Sequence, residues 1–558
     1  MVDIGRRPPV FETALSTHVS LAAQSPMLGQ DAVAPRLAMA DWLVLAGYFA
    51  LLVGSGAYFA WRAKRKRLSS EGYFVGDHSM PVWAVAISIL ATAQSAATFT
   101  GVPEQAYTGS IVYLSTNLGS VIAAVVLAVF FIPAYYRLGV TTPYQLLERR
   151  FGPGAKLAAS WAYMFGRVFA SGSRVYIGAI PVCMAMFGDT SGEHLAVSIG
   201  AFMLFGIIYT LAGGITSVIW TDVMQVCVYL GAAVVAIAIL ASRVSAPWSE
   251  VVDALTHGGA GGTSKLTLFP PAMGSGGFDW ANEMNIFTIL SGFVLIALAS
   301  HGTDQDLVQR MLTCKSAAAG SKSVIMGILV AIPTVALFMV LGLFLWVYYQ
   351  RPELMSHPPG APPGKSSEVL LGFIMREMPS GAAGLLIAGV MAAGPAGINS
   401  GLNSMSSTFV SDVYRPRFAG RDEKHYLQVG RLATAVWGAV LAIFALVCIP
   451  WKEHSGQSII GFVLSVMNFA YAGLLGVFFS ALFTKRGNTA SAIAALFAGF
   501  LTVLALRGEI MDKWTAWLGM QDAIKVRFAF PWQLVIGTLV AFVVCQVGGG
   551  KNEDHERQ

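Results

Sequence analysis

The run LLIAGVMAAGPAGINSGLNSMSSTFVSDVY, Leu385–Tyr414, is long and apolar enough to lie in a membrane, yet it carries Asn399, Ser400, Asn403, Ser404, Ser406, Ser407, Thr408 and Ser411. Polar groups in hydrocarbon must find their partners inside the protein. Hydroxyls and amides at this density therefore face a bundle interior or a watered cavity. Gly394, Pro395 and Gly397 are expected to interrupt the helix, because proline removes a backbone donor and leaves the carbonyl of Met391 without its helical partner. Released carbonyls beside small polar residues at mid-membrane depth suit cation coordination. The same small residues also suit a helix–helix packing face, and the sequence leaves both readings open.

The surrounding chain has the composition of a polytopic membrane protein. Of its 558 residues 55% are hydrophobic and only 12% charged, with a mean hydropathy of +0.63; a soluble chain carries about twice that charged fraction. The net charge of +6 calls for no nucleic acid, because Lys and Arg gather in loops as the positive-inside rule requires. Cys183, Cys227, Cys314, Cys448 and Cys545 sit in or beside apolar segments at no metal-ligand spacing and read as core residues. Residues 1–40 lack the apolar stretch of a cleavable signal and read as a disordered external tail.

Apolar runs long enough to span recur near 41–61, 81–102, 111–136, 158–186, 194–213, 217–242, 285–312, 322–349, 369–412, 427–450, 457–484, 489–507 and 530–547, which predicts an all-α membrane protein of about thirteen transmembrane helices. The run at 369–412 is expected to include a short interfacial segment ahead of its spanning part. Basic residues then orient them. Arg62, Lys64, Arg65, Lys66 and Arg67 follow the first run, Arg137, Arg149, Arg150 and Lys156 the third, and Arg415, Arg417, Arg421 and Lys424 the ninth. If each run crosses once, these loops share one side. The N-terminus is then outside and the C-terminus cytoplasmic, in a plasma or inner membrane.

Two further runs carry chemistry. ISILATAQSAATFTGVP, from Ile87, places Thr92, Gln94, Ser95, Thr98 and Thr100 in the middle of a span; ALASHGTDQDLVQRM, from Ala297, breaks an apolar helix at Gly302, Thr303 and Asp304. Broken helices in corresponding halves point to an inverted-repeat transporter with its site at the breaks. The breaks are expected at Ala91–Ser95 and Leu298–Thr303. Arg174, deep within RVFASGSRVYIGAIP, is costly in hydrocarbon and must meet an acid, a ligand or the membrane surface. Asp222 reads either as a cation ligand or as a carboxylate near a helix start, favoured there by the helix dipole. No Walker-type GxxxxGK[ST] loop is present, which excludes an ATP-driven pump. Neither a nucleophile–base pair nor a metal constellation lies in the loops, so ordinary enzyme catalysis and a resident cofactor have no support.

The blocks GDHSMPVWAVAISILATAQSAATFTGVP, PAYYRLGVTTPYQLLERRFG, LAGGITSVIWTDVMQ, GTDQDLVQRML, SGLNSMSSTFVSDVY and GLLGVFFSALFTKRGN run in order from about 70 to 490. They resemble the sodium:solute symporter family, whose members carry sugars, proline, pantothenate, sialic acid and monocarboxylates. The resemblance implies a five-plus-five inverted-repeat, leucine-transporter-like core over 81–484. It also implies an additional helix and basic loop at 41–67, two helices at 489–547 and a short cytoplasmic tail at 548–558. Na+ is the implied coupling ion and a small polar organic solute the implied cargo. Matching positions place backbone carbonyls of Ala91, Gln94 and Ala393 at the family's usual sodium site. Ala396 and Gly397 stand where that site has two hydroxyls, which puts ordinary sodium coupling in doubt. A second cation site of some relatives matches Asp222, Asn399 and Ser400, and any remaining Na+ dependence is expected to work through Asp222 rather than through the usual site. In relatives that carry carboxylates a nearby arginine meets the substrate, which directs attention to Arg174, while Gln94, Ser95, Thr98, Asn117, His301, Gln305 and Asn468 stand as further solute contacts. Ala97 and Thr98 occupy acid and amide positions of the sugar carriers, which weakens a sugar reading. A proton-coupled or cation-independent carrier of the same fold is the competing expectation. A transporter-like sensor is a third, disfavoured by the short tail after Cys545.

Overall fold

Residues 37–66, 78–212, 215–274, 277–455, 458–520 and 526–548 are described by the computed structural model. The expected tails before residue 37 and after residue 548, and the basic stretch 67–77, lie outside them. The apolar runs become helices in chain order. α1 (Met39–Lys66) precedes a broken pair, α2 (Val82–Ala93) and α3 (Ala96–Thr108), bent by 64°. Then come α4 (Ile111–Leu138), α5 (Tyr144–Phe151), α6 (Pro153–Phe187), α7 (Gly192–Ala212), α8 (Ile215–Ser242) and α9 (Trp248–His257). A two-stranded hairpin, β1 (Met273–Gly274) with β2 (Gly277–Phe278), leads to the second broken pair, α10 (Ile286–Thr303) and α11 (Gln305–Met311). The second half continues with α12 (Ala317–Gln350), α13 (Val369–Glu377), α14 (Ala382–Thr408), α15 (Glu423–Ser455) and α16 (Ile459–Phe483), then α17 (Thr489–Ala505), α18 (Gly508–Trp517) and α19 (Phe530–Gln546). Among the described residues nine helices are long and apolar enough to cross a membrane, or eleven if α2 with α3 and α17 with α18, the latter pair bent by 87°, each count as one span, and α7 and α19 hold shorter apolar stretches.

Local sequence starts several of these helices. Asn285, Ser316, Ser458 and Asn488 cap α10, α12, α16 and α17 by accepting from first-turn backbone donors, which offsets donors that have no intrahelical partner. One cap comes from another helix. Asp41 of α1, buried, accepts from Gly381 N and Gly384 N at 2.7 Å each, where α14 begins. A carboxylate at a helix N-terminus is favoured by the dipole as well as by the bonds, so α1 is pinned to α14 by more than apolar contact.

The helix of α14 runs unbroken through Gly394, Pro395 and Gly397, against the interruption expected there. Its glycines serve close approach instead. A Cβ on Gly394 would sit 2.5 Å from the ring of Phe202 on α7, and one on Gly401 would sit 2.8 Å from Ser171 Oγ on α6. Helices around a proline in a membrane bundle can remain helical because neighbours and local adjustments re-satisfy the freed backbone. The chain continues from Phe409 to Tyr414 as a π-helical turn.

The segment between α8 and α10 is fastened by a buried lysine. Lys265 Nζ donates to the carbonyls of Ala106 (3.2 Å), Tyr107 (3.0 Å) and Gly109 (2.7 Å), closing the C-terminal end of α3, and lies 5.0 Å from the Trp346 ring centre. Burial pushes its ammonium down from the ordinary 10.5 to about 8. Between those two values the unfolded chain holds a proton that the folded chain has lost, so stability from this group rises with pH across that window and its burial cost is complete below about pH 8. Wild-type protein is therefore expected to gain on the order of a few °C in melting temperature relative to Lys265→Met between pH 7.5 and pH 10. Parallel melting curves for the two proteins over that range would show an ordinary lysine.

Candidate functional site

The first break follows from its own sequence. α2 stops at Ala93, and Gln94 and Ser95 are both extended. Thr98 Oγ1 then accepts from Ser95 N at 3.3 Å, so the S-A-A-T spacing starts α3 as a cap. Ser95 and Thr98 are thus engaged with each other at the helix start. The carbonyls of Ala91, Thr92 and Ala93 lie at an open helix end that carries the negative pole of the dipole.

The second break comes one residue beyond the expected window. α10 ends in a π-helical turn, Ala299–Thr303, and Asp304 is extended, capping α11 by accepting from Asp306 N at 3.0 Å. Two carbonyls released there have tyrosine partners: Tyr135 donates to Gly302 O, and Tyr144 donates to Thr303 O at 3.0 Å. Buried backbone without such partners is costly in hydrocarbon.

Beside the breaks lies a buried cluster of charge. Arg167 of α6 pairs with Asp304 at 2.9 Å and with Asp306. Arg310 pairs with Asp306 at 2.8 Å and with Asp222 of α8 at 3.1 Å, while its Nε donates to Ser88 Oγ at 2.9 Å. Ser88 donates to Asp222 at 2.5 Å, Tyr471 to Asp304 at 3.1 Å and Ser400 to Asp306. Every one of these ionised side chains is at most 3% exposed. Pairing on this scale is what permits charge in a membrane interior. Arg167, Asp306 and Arg310 were not among the site residues expected from sequence, although Asp306 and Arg310 stand at i, i+4 spacing and Arg167 lies seven residues before Arg174 on the same helix.

Next to the cluster is a cavity of 150 Å³ between the two breaks. Of the expected solute contacts, Gln94, Asn117, Arg174 and His301 line it, joined by Tyr113 and by the apolar Phe293 and Leu464. Arg174 Nη1 donates to Thr92 O at 3.1 Å, its Nη2 meets only Met467 Sδ at 3.8 Å, and its Nε has no partner. No carboxylate lies within ion-pair distance of it among the described residues. His301 Nδ1 is shared between Ala297 O at 3.1 Å and Ser300 Oγ at 3.0 Å. Gln305 and Asn468 lie outside the cavity lining: Gln305 donates to Thr141 O at 3.1 Å and Asn468 to Phe530 O at 2.7 Å.

The expected cation positions divide. Ala91, Gln94 and Ala393 border a second, smaller cavity of 10 Å³. Asp222, Asn399 and Ser400 are committed to three different partners: Asp222 to Arg310 and Ser88, Asn399 to Thr210 at 2.9 Å, and Ser400 to Asp306. Among the described residues no three His, Cys, Asp or Glu side chains form a group that could hold a metal ion.

Comparison with known proteins adds an independent line. The family model for the sodium:solute symporter family matches residues 73–499. The chain is 31% identical to the sodium/sialic acid symporter SiaT of Proteus mirabilis over 84% of its own length and 89% of that protein. It is 25% identical to the sodium/glucose cotransporter of Vibrio parahaemolyticus over 86% and 88% of the two. Among solved structures it is similar to a Na+-coupled sialic acid symporter in a substrate-bound outward-open state, with a TM-score of 0.75 and 27% identity over 91% of this chain and 97% of that one. A nucleobase-cation-symport-1 family transporter in a closed conformation shares the fold at a TM-score of 0.51 and 15% identity, over 86% of this chain and 94% of that one.

Proposed function

Because the chain belongs to the sodium:solute symporter family, with its five-plus-five, leucine-transporter-like core, we propose that it carries a small organic carboxylate together with Na+ by alternating access. It is a multi-pass membrane transporter and not an enzyme. The observation that carries the substrate class is Arg174. Thr92 O holds one end of its guanidinium, and the adjoining Nε and Nη2 have no oxygen partner beside the cavity. That pair of donors forms the planar fork that binds a carboxylate bidentately. Gln94, Asn117 and His301 then supply neutral hydrogen bonds to the remainder of the solute.

Charge balance supports coupling to a cation. When ionised, Arg167, Arg174 and Arg310 balance Asp222, Asp304 and Asp306. An incoming carboxylate leaves this interior one charge negative, and one monovalent cation restores neutrality. We assign that cation to the carbonyls of Ala91, Gln94 and Ala393. The alternative set, Asp222 with Asn399 and Ser400, would require a cation to displace Arg310 and Thr210 from those oxygens. We also assign the N-terminus to the outside of the plasma or inner membrane, following the basic loops. Loss of hydroxyls at Ala396 and Gly397 favours a second reading, a proton-coupled or cation-independent carrier.

Uptake into liposomes holding the purified protein tests these readings together. Imposed Na+ gradients are expected to accelerate uptake of sialic acid or a monocarboxylate several-fold over choline, and to leave neutral sugars untransported. Uptake that is unchanged when choline replaces Na+ establishes the second reading.

A further inference from the structure

A further cavity, of 240 Å³, lies at the N-terminal end of α16, bordered by Glu283, Ser465, Arg507, Phe530 and Gln533. The other end of α16 reaches Thr484, whose carbonyl accepts from Arg150 of a basic loop at 3.3 Å, so this cavity lies on the face assigned to the outside. A water-sized sphere needs about 10–15 Å³, and the space admits an organic molecule. Gln533 is 5% exposed, and its Nε2 donates to Phe528 O at 2.8 Å, which fixes the amide and leaves the acceptor Oε1 unpartnered. An orphan of that kind costs about 1–3 kcal/mol. Arg507 lies 5.6 Å from the Phe469 ring centre and 6.0 Å from that of Trp451, with no carboxylate at ion-pair distance among the described residues. Arg527, which also borders the cavity, is spent on Asp512 and Gly508 O. Glu283 forms neither an ion pair nor a hydrogen bond among the described residues, and burial pushes its carboxyl above the ordinary 4.5.

The unmet groups are spread along α16. A Cβ on Gly461 would sit 3.4 Å from Glu283 Oε2, which puts the acid at the first turn, where the dipole favours negative charge. Gly461, Ser465 and Phe469 stand on successive turns of one face, and Phe469, beneath Arg507, lies about 12 Å along the axis from Gly461. A cation free to bind a carboxylate thus stands at one end, and acceptors that call for donors stand elsewhere in the same cavity. We propose that this outer cavity is a second, external site for the solute, and that the solute is a hydroxylated carboxylic acid: its carboxylate meets Arg507 and its hydroxyl groups donate to Gln533 Oε1 and Glu283. This rests on the carboxylate-transport reading above. A plain monocarboxylate would leave both acceptors unmet, and a neutral sugar would leave the guanidinium without its charge partner. Phe530 borders the outer cavity and Phe293 the central one, their ring centres 5.8 Å apart. Ser465 and Leu464, adjacent on α16, border the same two. An acid held at Arg507 is therefore one aromatic pair away from the cavity of Arg174.

Binding of radiolabelled sialic acid to the full chain in nanodiscs tests this, together with the rise in melting temperature that a ligand of the folded state produces. Wild-type protein is expected to bind two molecules per chain. Arg174→Ala, which disables the central site, is expected to keep one saturable site and a melting shift, and Arg174→Ala with Arg507→Gln to lose both. Gln533→Leu is expected to melt no lower than wild type without ligand, because the orphaned acceptor is gone, and to weaken the outer site by about 2- to 10-fold. Propionate, which has no hydroxyl, is expected to leave the Arg174→Ala melting curve unshifted; a shift equal to that from sialic acid overturns the hydroxyl contacts. A wild-type chain that binds one molecule, lost in Arg174→Ala, overturns the proposal and leaves the transport reading standing. So does a second site that survives both Arg507→Gln and Gln533→Leu, or a chain that takes up monocarboxylates and binds no sialic acid. A wild-type protein that takes up no carboxylate into liposomes overturns the transport reading, and the proposal with it.

Discussion

Replacing Arg174 by Lys is expected to raise the apparent KM for a carboxylate solute by about 10- to 100-fold, with the maximal rate changed only a few-fold. A hydrogen bond to a charged group contributes about 1.5–3 kcal/mol, and each 1.4 kcal/mol is a factor of ten. Lysine keeps the charge but cannot present two parallel donors, so it loses one bond of the pair together with its geometry. The loss falls on binding, because the fork is used before the protein changes conformation. Arg174→Ala removes charge and fork together and is expected to leave carboxylate uptake near background. Concentration series of uptake in liposomes, with a carboxylate and its amide or ester run in parallel, separate these effects. Equal loss for the neutral analogue would assign Arg174 to holding the helix end at Thr92, and the carboxylate reading would lose the contact that carries it.

Removal of Arg310 is the second large effect. Arg310→Met leaves Asp222 and one oxygen of Asp306 buried without their cation, and breaking a buried pair from one side costs about 3–5 kcal/mol. The expected result is a protein that melts well below wild type or fails to purify as a single species. Neutralising the acid as well should reverse much of this. The double variant Arg310→Met with Asp222→Asn is expected to be more stable than Arg310→Met alone, because Ser88 can still hydrogen-bond the new amide. Thermal melting of the two single variants and the double variant measures that coupling directly. Additive losses would mean that the 3.1 Å pair contributes nothing of its own.

Much of this protein is legible in the bare sequence. Apolar runs separated by basic loops specify a multi-pass helical protein, since hydrocarbon admits few other backbone arrangements. The first break is written locally: Gln94 and Ser95 sit where small and polar residues interrupt α2, and the spacing from Ser95 to Thr98 makes a cap. Gln94, Asn117, Arg174 and His301, the solute contacts that the family resemblance implies, lie along one cavity. Thr98, implied in the same way, bonds the backbone of Ser95 at the helix start instead, because a hydroxyl three residues from a free backbone donor bonds it before anything more distant.

Other features were decided only by the tertiary structure. Pro395 and its glycines look like a break when α14 is read alone. The helix continues because α6 and α7 pack closely against Gly401 and Gly394, and packing outweighs a local preference. Asp222 looks like a cation ligand until Arg310, 88 residues away, takes its charge.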